Sequence, residues 1–233
     1  QRSDHGGGSG TLDLDDLATQ LWRAKYLSTA DNQPMPKFLY CVPTGNNPTG
    51  RDMPDDDRSR LVQLCAEHNV RIVSDDVYEV LQYGEEPSNR PKPMRWHANQ
   101  LGVPSTVISL GSWSKIIGPG LRLGWIEAED EALHDAFAKD GEVDSGSLTS
   151  PLVESLVTEL ITSGDCTEHL GSLRGALGRR AKLLAGAINA EQQKQPIVDV
   201  ASAGYFLWVD LRGRDAAALR ERREARAFTG LRF

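Results

Sequence analysis

Several absences bound this sequence before any motif is considered. Long apolar runs are missing: none approaches the ~18 residues that a membrane-spanning helix requires, so no membrane partner is expected. A surplus of positive charge is missing too. Lys and Arg number 26 against 33 Asp and Glu, for a net charge of −7. That excludes a general phosphate-backbone binder, and with it a nucleic-acid partner, because such proteins need a basic face. Cysteine is scarce. Cys41, Cys65 and Cys166 are odd in number and widely spaced, which fits neither a disulfide framework nor a CxxC motif. This usage points to a reducing compartment, the cytoplasm. The histidines His5, His68, His97, His134 and His169 are equally scattered, without HxxxH or HExxH, so no metal site is expected. An apolar leader is lacking as well. Gln1-Arg2-Ser3 runs into His5-Gly6-Gly7-Gly8-Ser9-Gly10, which reads as a flexible, linker-like start over residues 1–10 of a chain beginning inside a larger protein.

What is present belongs to a folded, acidic protein, with 39% hydrophobic residues in 233. Leu14, Leu17 and Leu21 recur at helical spacing behind Asp13, Asp15 and Asp16, acids suited to a first turn. Phe38 to Val42 is nearly all apolar, the mark of a buried strand. Pro54 and Asp55-Asp56-Asp57 open a helix with Leu61, Leu64, Cys65 and His68 on its inner stripe, and Arg71 to Asp75 forms a second strand. Strand, helix, strand in this order predicts a parallel crossover. Thr106 to Leu110 and Leu121 to Ile126 read as third and fourth strands. From Glu129 the pattern is helical: a short helix around Leu133 and Phe137, another through Leu152, Leu156 and Leu160, and a longer one from about Glu168 to Asn189. Val198 to Val200 and Tyr205 to Val209 are predicted as late strands. The stretch from Arg212 onward is arginine-rich, with weak apolar periodicity.

Three clusters fall just past the C-terminal ends of predicted parallel strands, where ligands of open α/β sheets bind. They are Asn46-Asn47-Pro48-Thr49-Gly50, Asp75-Asp76-Val77-Tyr78, and Gly111-Ser112-Trp113-Ser114-Lys115 continuing to Arg122. Taken singly, each has a structural reading: a turn, a strand end, a surface lysine in a polar loop. Taken together, they meet the needs of pyridoxal 5'-phosphate, which requires an amine for a Schiff base, an anion for its pyridine nitrogen, donors for its ring oxygen and hydroxyls plus an arginine for its phosphate. Lys115 supplies the amine and Asp75 the anion; Asn47 and Tyr78 are candidates for the ring oxygen, and Ser112, Ser114 and Arg122 for the phosphate. Dinucleotide binding fits less well, because the early glycines do not follow a strand as G-x-G-x-x-G and no G-x-x-x-x-G-K-[ST] occurs.

The blocks YCVPTGNNPTG, RIVSDDVYEVLQY and SLGSWSKIIGPGLRLGW, with GYFLWVDL further on, resemble the class I/II aminotransferases of the fold-type I pyridoxal-phosphate enzymes. The likeness is to the branch of aminoadipate and kynurenine aminotransferases and of the aminotransferase-like halves of some bacterial transcription regulators. It extends over most of Thr11 to Leu211. It implies an α/β fold with a mainly parallel central sheet flanked by helices, a partial cofactor-binding large domain over 11–165, and an incomplete smaller α+β C-terminal domain over 166–233. It implies the same site roles, with Lys115 as catalytic lysine, amino acid and 2-oxo acid as substrates, and a homodimer in the full-length protein. The departures also inform. The upstream segment of such enzymes, with its phosphate-binding helix start and ring-stacking aromatic, is not in this sequence. Phe228 to Phe233 only echoes the turn preceding the carboxylate-binding arginine, and Arg232 does not match that arginine's context. Two other readings share these residues: another pyridoxal-phosphate reaction, such as a C–S lyase or ACC synthase-like elimination, and a non-catalytic, ligand-sensing aminotransferase-like domain.

Overall fold

The computed structural model describes residues 12–83, 89–146, 148–190 and 197–211, together with 213, 215, 217 and 218. The Gly/Ser-rich start and the echo at Phe228 to Phe233 lie outside the described residues, as does most of the arginine-rich stretch.

Helix α1 spans Leu14–Ala30, and the Asp13 carboxylate caps it by accepting from the amides of Asp15 and Asp16 at 3.1 and 2.9 Å. Strand β1 is Phe38–Cys41. Helix α2, Asp55–Glu67, follows Pro54 and carries three acids in its first turn, where they face the positive end of the helix dipole. Strand β2 is Arg71–Asp75, helix α3 Met94–Gln100, strand β3 Val107–Ser112 and strand β4 Gly124–Ala128. The sheet order is β1-β2-β3-β4. The first three strands are parallel and β4 returns antiparallel to β3, so the sheet is mainly parallel. Helices α4 (Glu131–Ala138), α5 (Gly141–Asp144), α6 (Pro151–Thr162) and α7 (Asp165–Ala190) complete the order.

One face of the sheet is covered. Ile72, Ser74, Val107 and Ser109 point there, and the core forms against Leu61, Val62 and Cys65 of α2 and Met94 and Ala98 of α3. The register puts Phe38, Tyr40, Val73 and Asp75 on the other face. Phe38 and Tyr40 there are 56% and 62% exposed.

Five elements differ from the sequence expectation. Strand β4 begins at Gly124 rather than Leu121, because Pro119–Leu121 is a 3-10 turn and Arg122 is left-handed, with φ 51° and ψ 36°. Strand β3 runs from Val107 to Ser112, since Pro104–Thr106 is a 3-10 turn. Helix α3 was not expected: His97 sits inside its Met94, His97, Ala98 stripe, and prolines precede it. The two late strands are not formed as strands. Val198 pairs with Val209 and Ala203 with Gln82 as single bridges. Gly204, at φ +68°, turns the backbone between them. Its amide bonds Leu81 O at 3.2 Å, and Ser202 O accepts from Tyr83 N at 2.7 Å. The segment therefore spends its hydrogen bonds on the Tyr78–Tyr83 stretch instead of on a sheet ladder.

Candidate active site

The three clusters each follow the C-terminal end of a parallel strand, β1, β2 and β3, and the Lys115 amine of the third stands by Tyr78 of the second. The loop after β1 is held by its first asparagine. Asn46 Nδ2 donates to Val42 O at 3.2 Å, its Oδ1 accepts from Thr49 at 3.1 Å, and its backbone closes the turn through Arg51 O and Gly50 N. Asn47 is then exposed, beside a cis bond to Pro48. Glycine is required at Gly50, where φ is +66° and a Cβ would collide with Phe206 O.

Beneath this loop lies a charge that sequence reasoning missed. Arg58 is fully buried and donates to Met53 O, Pro43 O and Thr44 Oγ1 at 2.8, 2.8 and 3.0 Å, and to Lys92 O at 2.9 Å. It ties α2 to the end of β1, and burial lowers its pKa from the usual arginine value. Asp52 joins the loop to the late segment: Gly45 N donates to its Oδ1 at 2.7 Å and Ser202 to its Oδ2 at 2.5 Å.

At the end of β2 two neighbouring carboxylates part ways. Asp76 turns to the covered face and accepts from Ser74 at 2.7 Å and from Ser109 across the strand. Burial pushes its carboxyl up to about 6, against the pull of both hydroxyls. Asp75 faces the open side, and Tyr40 donates to its Oδ2 at 2.5 Å. That bond, then burial, pushes the Tyr40 phenol up to about 12. Only strand register reveals the pair, since Tyr40 lies opposite Val73, two residues before Asp75 and on its face.

Tyr78 is 5% exposed, edge-on to Tyr205 and Phe206 at 6.2 and 5.9 Å. Burial raises its pKa first, then the charge of Asp75. Lys115 Nζ stands 6.0 Å from the Tyr78 ring centroid, which places amine, phenol and carboxylate at one sheet end. Lys115 closes a 3-10 turn, Trp113–Lys115, after β3. Ser112 Oγ caps that turn by accepting from Ser114 N at 3.2 Å. Arg122, where the chain re-enters the sheet, is exposed and donates to Pro119 O at 3.4 Å. The serines and Arg122 flank the lysine turn, and the contacts they make here are local ones. Among the described residues, no group of three His, Cys, Asp or Glu could hold a metal ion. The Cys41 and Cys65 thiols are pushed up to about 12 by burial, which removes them as nucleophiles.

Asp75 ends β2 and the Lys115 turn follows β3, so both lie at the strand edge of an α/β sheet where ligands of such folds bind. Residues 8–228 match the family model of aminotransferase class I and II, and the chain belongs to that family. It is 35% identical over 178 residues to the 2-aminoadipate transaminase of Thermus thermophilus, covering 76% of this chain and 43% of that protein. The kynurenine aminotransferase of Pyrococcus horikoshii, solved in complex with PMP, superposes with a TM-score of 0.74 at 25% identity, over 94% of this chain and 51% of that one. LysN, the α-aminoadipate aminotransferase of Thermus thermophilus, solved with N-(5'-phosphopyridoxyl)-L-leucine, gives 0.73 at 29% identity, over 94% and 52%. The fold is that of the type I pyridoxal-phosphate transferases. The chain spans about half the length of these relatives.

Proposed function

We propose that the protein carrying this chain is a pyridoxal-phosphate-dependent aminotransferase, moving an amino group between an amino acid and a 2-oxo acid. The observation that carries this reading is the Lys115 amine over the Tyr78 ring, with Asp75 on the neighbouring strand end. The donor set fits the cofactor: one exposed amine, one carboxylate on the open face, phenol and amide donors, and two hydroxyls with an arginine beside the lysine turn. When bound, pyridoxal phosphate supplies an aldehyde for the amino group and a ring that draws electrons from the substrate's Cα–H bond. Lys115 would hold the cofactor through its amine, and that amine, when free, would take a proton from the substrate's Cα and return it. Asp75 would pair with the cofactor's pyridine nitrogen, and Tyr40 donates to one oxygen of that carboxylate. Asn47 and Tyr78 would donate to the ring oxygen, and Ser112, Ser114 and Arg122 would hold the phosphate. A homodimer of the full-length protein in the cytoplasm completes the reading.

The test is to add pyridoxal phosphate to the chain, reduce with borohydride and map the modified peptide by mass, with Lys115→Ala as control. The expected result is a pyridoxyl group on Lys115 that is absent from the control. Labelling scattered over surface lysines would overturn the site assignment.

A further inference from the structure

The lysine turn ends on two carbonyls that the turn itself does not use. Trp113 O accepts from Ile116 N and Ile117 N at 3.1 and 2.9 Å, which leaves Lys115 O and Ile116 O as the outgoing acceptors. Both are taken by side chains from far along the sequence. Tyr205 donates to Lys115 O at 2.7 Å, and His169 Nε2, on the second turn of α7, lies 2.8 Å from Ile116 O. A carbonyl only accepts, so His169 must carry its hydrogen on Nε2. The Tyr205 ring also meets the edge of Tyr78, the ring beneath the Lys115 amine. Gly204 permits this approach: a Cβ there would stand 3.3 Å from the Tyr78 ring.

We propose that Tyr205 and His169 are positioning residues that clamp two consecutive carbonyls of the lysine turn, so that α7 and the late segment together set where the Lys115 amine stands. A turn tied only to its own strand could rock, and small displacements of a reacting amine are costly to rate. The functional part of this inference rests on the reading of Lys115 given above.

The experiment compares Tyr205→Phe, His169→Leu and His169→Gln, the last of which keeps an N–H donor. Three properties are measured: the rate of borohydride-trapped pyridoxal phosphate at Lys115, the pH midpoint of the visible absorbance of the lysine-bound cofactor, and amide hydrogen exchange across Trp113 to Gly118. Tyr205→Phe and His169→Leu are expected to slow trapping about two- to tenfold each, the effect of one neutral hydrogen bond. They should also shift the midpoint and speed exchange in the turn, with an unchanged melting temperature, and His169→Gln should restore all three. Trapping and exchange at the unmodified rates would overturn the clamp. So would losses that merely follow a fall in melting temperature, or that Gln does not reverse. If the unmodified chain takes up no cofactor at Lys115, the proposed function of this chain fails. The exchange readout still decides the clamp: faster exchange in the two variants upholds it, and unchanged exchange refutes it.

Discussion

The two faces of the sheet are built on opposite terms. On the covered face Leu61, Val62, Cys65, Ile72, Met94 and Ala98 are fully buried, and its polar groups, Ser74, Asp76, Ser109 and Arg58, are satisfied by one another or by carbonyls. On the open face Phe38, Tyr40 and Ile126 are 56%, 62% and 49% exposed, and the carboxylate there is the one expected to meet a cofactor. The fully buried side chains lie on one side of a few strands, with Ile108 at 7% exposed the buried residue of the other. The neighbours Asp75 and Asp76 show that a single step along β2 separates the two sides.

The contrast can be broken from its strongest point downward. Arg58→Met leaves the carbonyls of Met53 and Lys92 without the guanidinium donor and removes the second donor of Pro43 O, in a buried setting, and should cost about 3–5 kcal/mol in urea unfolding. Leu61→Ala should cost about 2–5 kcal/mol, whereas Phe38→Ala on the open face should stay within about 0.5 kcal/mol. Equal costs would mean that both faces are covered. Asp76 makes stability depend on pH. Its folded pKa of about 6 exceeds the ordinary 3.8, so the folded state binds the extra proton, and stability falls as pH rises through the window between those values. The loss is about 3 kcal/mol at ~1.36 kcal/mol per unit. Asp76→Asn should flatten the urea midpoint over that range, and an unchanged slope would refute the assignment. The smallest effect leaves stability untouched: Asp75→Asn should bring the Tyr40 phenol down from about 12, read as ultraviolet difference absorbance against the unmodified chain.

Much of this was legible in the sequence because it is local. Arg71 to Asp75 reads as a strand from composition and forms one over those residues. The three motif clusters follow the ends of β1, β2 and β3, neighbours in the sheet. What escaped depends on distant partners. Tyr205 and Lys115 lie 90 positions apart, and the Tyr40 and Asp75 pairing needs strand register rather than spacing. Tyr205 to Val209 carries strand-like residues, yet its neighbours offer single bridges instead of a ladder, so propensity is overridden by context. Helix α3 was readable in principle from Met94 and Ala98, but the polar histidine on the same stripe hides the period.

The antiparallel return of β4 has a consequence for how this region can vary. Ser112 pairs with Gly124 and Gly111 with Trp125, whose ring leaves no room for a Cβ at Gly111. Residues 113–123 are therefore a hairpin connection pinned at both legs. An insertion or deletion of one residue there would be taken up between the two legs, where it would move the Lys115 turn relative to Arg122 while the β3–β4 register stays pinned. The paired legs therefore act as a fixed frame, and the spacing of Lys115 from Arg122 within it is a property of the connection itself.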